Sequence, residues 1–187
     1  MTGTEYASPA LYSLLGIAFL QSDAGKLREI LNEAASELDP ADPLGGTIHS
    51  LLLAVPRNPE DLGREFVRLF LDPAGAPCPP WQSAHDAPPR LMGESHLRAL
   101  RWYRGEGVQP CAETEPADHS GYLLMFYAHL LESGKDPDLL ARFRSEHLDW
   151  IVPWLQSVQA QTRLEFYREL AAFGLLLLQY PTNSDQS

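Results

Sequence analysis

The residues of this chain whose types and spacing best suit chemistry stand in one short run, Glu115-Pro116-Ala117-Asp118-His119. A proline here fixes a helix start, and a carboxylate and an imidazole then project from the first turn. Free backbone N–H groups of that turn would stabilise the aspartate, whose remaining oxygen can still accept a charge-assisted bond from a guanidinium. Spacing alone favours a plainer use, in which Asp118 satisfies its own helix terminus and His119 packs under a loop. A second run, Cys78-Pro79-Pro80-Trp81-Gln82-Ser83, sets an aromatic ring and a hydroxyl on a proline-stiffened segment. Such a segment can wall an apolar groove, and it can equally carry a tryptophan that only plugs the core beneath it.

Metal chemistry finds less support. His49, the pair His85-Asp86 and Asp118 follow the ligand order of HD-type metal-dependent phosphohydrolases, but prolines at 79, 80, 88 and 89 bracket the pair, where imidazole ligands need a rigid support. Cys78, Cys111, His85 and His119 make a weak zinc set, since neither thiol has a partner at Cys-x-x-Cys spacing.

The elements that must position these residues read as helices almost throughout. Ser8-Pro9 opens the first, with a serine that can cap and Leu11, Leu14, Leu15, Ala18 and Phe19 following. A second begins near Asp23 and carries Leu27, Ile30, Leu31, Ala34 and Leu38 on one stripe. A short third holds Ile48, Leu51, Leu52 and Val55, and Asn58-Pro59 caps a fourth that ends before Asp72-Pro73. Residues 71 to 90 are too rich in proline for helix or central strand, and a loop this long in a compact domain is usually functional or disordered. Helix resumes from about Glu94 to Arg104 with Leu97 and Leu100 inward, and a second loop runs from Val108 to Thr114. Glu115-Pro116 then starts the most apolar helix, whose Leu123, Leu124, Phe126, Tyr127 and Leu130 place it at the centre. Further helices start at Asp136-Pro137, near Trp150, and at Arg163. The prediction is an all-α fold of about nine to eleven helices in a single domain over 1–181, with 182–187 a frayed tail.

The chain has 25 acidic against 14 basic residues, a formal charge of -11 over 187 residues. That balance repels nucleic-acid phosphates and anionic lipid and suits cationic partners, although acidity often serves only solubility. No basic residue precedes Lys26, so the charged opening of a secretory leader is missing. The apolar run 171–178 is far shorter than the roughly 20 residues that cross a bilayer. Two cysteines do not make a disulfide framework, and a cytoplasmic location without stable membrane insertion is expected.

Taken together these pieces resemble the TorD/DmsD family of redox-enzyme maturation proteins. Phe66 to Phe70 fits the family's aromatic, two residues, Leu-Phe pattern, Pro79-Pro80-Trp81-Gln82-Ser83 resembles its Pro-Pro-Trp-Glu-Ser loop, and Glu115 to His119 matches its Glu-Pro-x-Asp-His signature. The likeness covers roughly residues 60 to 170, and the first 55 match only in being helical. It implies a TorD-like fold and a non-enzymatic chaperone that binds the twin-arginine signal peptide of a molybdoenzyme catalytic subunit. It further implies that Trp81, Ser83, Asp118 and His119 line the peptide groove, with Phe70, Pro80 and Tyr122 nearby. Asp118 would supply the acidic acceptor for arginine, and Trp81 with Phe70 the apolar trough. Gln82 replaces the family's usual glutamate, which should loosen the grip on arginine.

No resident cofactor is implied. Weak guanine-nucleotide binding is associated with some members, but no phosphate-cradling glycine loop is present, and Arg98, Arg101 and Arg104 read as a solvated helix face. A plain helical interaction domain is the remaining alternative. The resemblance leaves monomer or domain-swapped dimer open.

Overall fold

The computed structural model describes residues 7–109 and 115–180. Nine α-helices lie among them: α1 Pro9–Leu20, α2 Ala24–Glu37, α3 Pro43–Ala54, α4 Pro59–Phe66, α5 Glu94–Gly105, α6 Ser120–Glu132, α7 Pro137–His147, α8 Ile151–Gln161 and α9 Glu165–Gln179. The described residues contain no strand, only an isolated antiparallel bridge between Trp81 and His119. The expected tail at 182–187 and most of the loop to Thr114, with Cys111, lie outside the described residues.

Several helix starts follow directly from sequence. The side chains of Asp23, Asp42, Asn58 and Asp136 each accept a backbone N–H at the start of the helix that follows, satisfying donors that the first turn leaves orphaned. Ser8 departs from expectation: Pro9 occupies the first turn, but the serine hydroxyl makes no capping bond. The fourth helix ends where expected, yet its last stretch, Val67–Leu71, widens into a π turn. There Leu69 O accepts from Cys78 N (2.9 Å), which seats the start of the proline-rich loop.

The centre is the crossing of α1 and α6, the pair in most extensive contact. Both are apolar nearly all round, so neither can face water along its length. Gly16 and Gly121 meet at the crossing, where a Cβ on either residue would stand 2.6 Å from the other's carbonyl oxygen. Only glycine lets the backbones approach so closely. Helix α9 packs on α3, α8 and α1, and α7 covers α6. Phe70 lies in an aromatic cluster with Phe19, Phe66, Trp154 and Tyr167, and Phe143 of α7 packs against Phe126 and Tyr127 of α6. Each such ring, fully buried, contributes about 1.5–3 kcal/mol relative to leaving it exposed.

On α5 the inward face differs from expectation. Ser95, Ala99 and Tyr103 are buried, whereas Leu97 is 48% exposed. The helix is held through Tyr103 and through Trp102, which packs edge-on against Phe143, and that rotation turns Leu97 outward. Arg101 and Arg104 are solvated, but Arg98 is half-buried, with its Nε out of solvent.

Candidate functional site

The proline-rich loop and the start of α6 are stitched together by backbone. Ser120 N donates to Pro80 O (2.8 Å) and Gln82 N donates to Asp118 O (3.1 Å), the two bonds that flank the Trp81–His119 bridge. The loop is therefore not structureless: residues 82–84 form a single 3-10 turn directly after the bridge.

This seam moves the helix start. Helix α6 begins at Ser120, not at Glu115-Pro116, because Pro116 O first closes a turn with His119 N (3.1 Å). His119 is the N-cap, with Nδ1 accepting from Gly121 N (3.0 Å). Its ring proton then sits on Nε2, and burial holds its pKa down near 3. Asp118 precedes the cap, so helical N–H groups do not stabilise it. Instead its Oδ2 accepts from Ser83 N across the seam (2.6 Å). Asp118 is fully buried, and Oδ1 has no protein donor. The nearest imidazole, His96, approaches Oδ1 at 3.8 Å through Nδ1. That nitrogen accepts from Ala117 N (2.9 Å), so it carries a lone pair and forms no ion pair in this arrangement. Tyr103 donates to Ala117 O (2.7 Å), and burial together with the nearby Asp118 charge raises its pKa far enough to keep it a donor.

Pro80, Trp81, Ser83, Asp118 and His119 thus come together at one place, with Tyr122 a turn further along α6 and its ring 5.9 Å from that of His119. Trp81 is half-buried and its indole N–H donates to Glu115, which is also partly exposed. Ser83 is fully buried, and its hydroxyl finds no protein partner. Phe70 is not brought to this group: it is 1% exposed, and its ring neighbours are the core aromatics. Beside Tyr122 lies a mostly apolar depression of about 170 Å³, lined also by Tyr103, Val108, Met125, Phe126 and His129.

Two contacts escaped the sequence reading. Gln82 bonds the C-terminal end of α7 through Glu146 O and His147, and His96 supports Ala117. No spacing pattern ties 82 to 147, so only the fold could reveal that pair.

The HD-like residues are dispersed. His49 bonds Gly45 O within its own helix, His85 stacks on Trp150, and Asp86 accepts from Ser95. Cys78 is buried against Ser157, and burial raises its thiol pKa. The described residues contain no group of three or more side chains able to hold a metal ion. Nor is any helix among them long and apolar enough to cross a membrane.

A helical protein organised around a loop-to-helix seam, with its aromatic and acidic groups at one edge, is the class that fold and site define. Residues 24–160 match the profile of the family described as nitrate reductase delta subunit, and the chain belongs to that family. Among curated relatives, the probable Tat proofreading chaperone DmsD of Haemophilus influenzae is 31% identical over 123 residues. The Tat proofreading chaperone DmsD of Salmonella paratyphi A is 36% identical over 121 residues. Each alignment takes in 64% of this chain, which spans only 60% and 59% of those relatives' own lengths. The crystal structure of an Archaeoglobus fulgidus protein assigned to redox enzyme maturation superposes with a TM-score of 0.63 at 23% identity, covering 91% of this chain and 92% of that one. That match is a likeness of fold. The TorD/DmsD resemblance and the all-helical class read from sequence are borne out by these matches.

Proposed function

We propose that this protein is a chaperone that binds the twin-arginine signal peptide of a molybdenum-cofactor redox enzyme, assisting maturation before export and performing no catalysis. The observation that carries this reading is the seam itself, where Trp81, Glu115 and Asp118 stand at one edge of a chain whose relatives are Tat proofreading chaperones. A twin-arginine leader offers two guanidinium groups followed by an apolar stretch. Glu115 is the carboxylate such a peptide meets first, because it is partly exposed beside the indole. Asp118 keeps Oδ1 without a protein donor, but that oxygen is out of solvent, so a guanidinium reaches it only if its surroundings open. The depression beside Tyr122 is apolar enough for a side chain of the following stretch. A net charge of -11 favours a cationic leader. The role needs recognition and release, hence no resident cofactor, and places the protein in the cytoplasm, where leaders are met before export.

Titration with three peptides tests the reading: an intact leader, a version with both arginines changed to lysine, and one with its apolar region scrambled. Preference for the intact peptide supports it, and equal binding of all three refutes it in favour of a general interaction domain.

A further inference from the structure

Gln82 stands where the family loop carries glutamate, and its side chain turns inward onto α7. It is 8% exposed, and both ends of its amide are used on the last turn of α7. Nε2 donates to Glu146 O (2.8 Å), and Oε1 lies 2.7 Å from His147 Nδ1. A carbonyl can only accept, so Nε2 must be the amide nitrogen, Oε1 the acceptor, and His147 Nδ1 the protonated ring nitrogen. His147 is fully buried, and its Nε2 retains a lone pair with no protein donor. Among the described residues, Arg98 on α5 is the charge that acts on this ring, and Glu146 on its own helix commits its carboxylate to Trp102 Nε1 (2.9 Å). All of this holds the imidazole neutral.

Three consecutive residues of the loop therefore face three anchors. Trp81 bonds Glu115, Gln82 bonds α7, and the Ser83 N–H bonds Asp118. Without the middle anchor the 3-10 turn would lose its hydrogen bonds to α7 and keep those to the α6 side, with only the His85–Trp150 stack left toward the start of α8. Glutamate could not replace glutamine unchanged, because an ionised carboxylate has no hydrogen for Glu146 O and would set oxygen against oxygen. The departure at 82 is thus matched to a neutral histidine at 147.

We propose that Gln82 and His147 are positioning residues of the leader site: their amide–imidazole clamp seats the 82–84 turn on α7 and thereby sets the Trp81 indole and the Ser83 N–H, while neither side chain touches the peptide. This deepens the leader-binding reading and rests on it. The test uses the full chain with Gln82→Met, His147→Leu and His147→Asn, the last because an asparagine amide can replace the Nδ1–H donor. Intact-leader affinity and the Trp81 indole N–H resonance are measured alongside melting temperature. Gln82→Met and His147→Leu should each weaken the leader about tenfold, with the double variant no weaker than either single one, as coupled partners require. His147→Asn should recover most of that loss, and the Trp81 resonance should shift in Gln82→Met. If Gln82→Met does not fold, the His147→Leu and His147→Asn pair carries the test. Additive losses, or an unmoved Trp81 resonance in folded Gln82→Met, overturn the clamp. A wild-type protein without preference for the arginine leader refutes the leader reading instead, and the resonance shift, which needs no peptide, then decides the clamp alone.

Discussion

Lowering pH should destabilise this protein before its carboxylates titrate, because His119 and His147 are buried as neutral rings. Both pKa values are held down near 3, His119 by burial and His147 by burial with the Arg98 charge as a smaller contribution. The geometry agrees, since His119 Nδ1 accepts from Gly121 N and His147 Nε2 has no protein partner. The unfolded chain takes up these protons from about pH 6.5 downwards, whereas the folded chain refuses them until near 3. Across that window the unfolded state binds more protons, so stability falls as pH falls. Between about pH 7.5 and 5.5 each ring should cost about 1.4 kcal/mol, and the two together about 3 kcal/mol. Against a usual total of about 5–15 kcal/mol that is a visible loss, equivalent to about 6–12 °C in melting temperature for a chain of this size. Glu65, whose carboxyl is held below its usual range despite burial by its bonds to Arg68 and Arg163, acts only at lower pH. Glu169, pushed up by burial and by Glu165, works in the opposite sense. Urea unfolding followed by helical circular dichroism at half-unit pH steps measures the loss, with His147→Asn expected to halve the slope. A flat profile from pH 7.5 to 5.5, or an unchanged slope in the variant, would refute the burial argument.

Three further outcomes are expected. Gly121→Ala should destabilise the fold by about 1–3 kcal/mol in denaturant titration, because the new Cβ meets the Gly16 carbonyl at the α1–α6 crossing. Trp81→Ala should weaken leader binding through the apolar stretch, and a variant that loses only thermal stability would show the ring to be a plug alone. Asp118→Asn should weaken the leader and make the remaining affinity less salt-sensitive in titrations across ionic strength, and unchanged affinity in the folded variant would count against Asp118 as the arginine acceptor.

Much of this architecture was legible because local rules act on neighbouring residues. Asn-Pro and Asp-Pro pairs placed the starts of α4 and α7, and the unbroken apolar run of α6 announced a central helix. The same rule misplaced the start of α6. Glu115-Pro116 has the look of a helix opening, but the distant Pro80 carbonyl takes the Ser120 N–H and holds the preceding residues out as a turn. Leu97 misled for a related reason: periodicity gives an apolar stripe but not its rotation, which Tyr103 and Trp102 settle by tertiary packing. At the site, the meeting of the 80–83 and 115–119 runs rested on resemblance, since nothing local joins segments 35 residues apart. Gln82 reads from sequence only as a departure from the family's glutamate that should loosen the grip on arginine. Its inward turn depends on the end of α7, which no window of sequence around 82 contains.

The stretch that carries the family likeness, 24–160, excludes both α1 and α9. Yet α1 is the backbone rail against which α6 lies, and α9 wedges between α1, α3 and α8. Trimming the gene to the shared stretch would strip the support from behind Gly121 and bare the apolar flank of α6 to water. The heritable signature and the smallest piece able to stand by itself are therefore different lengths of chain, and expression designs should follow the second.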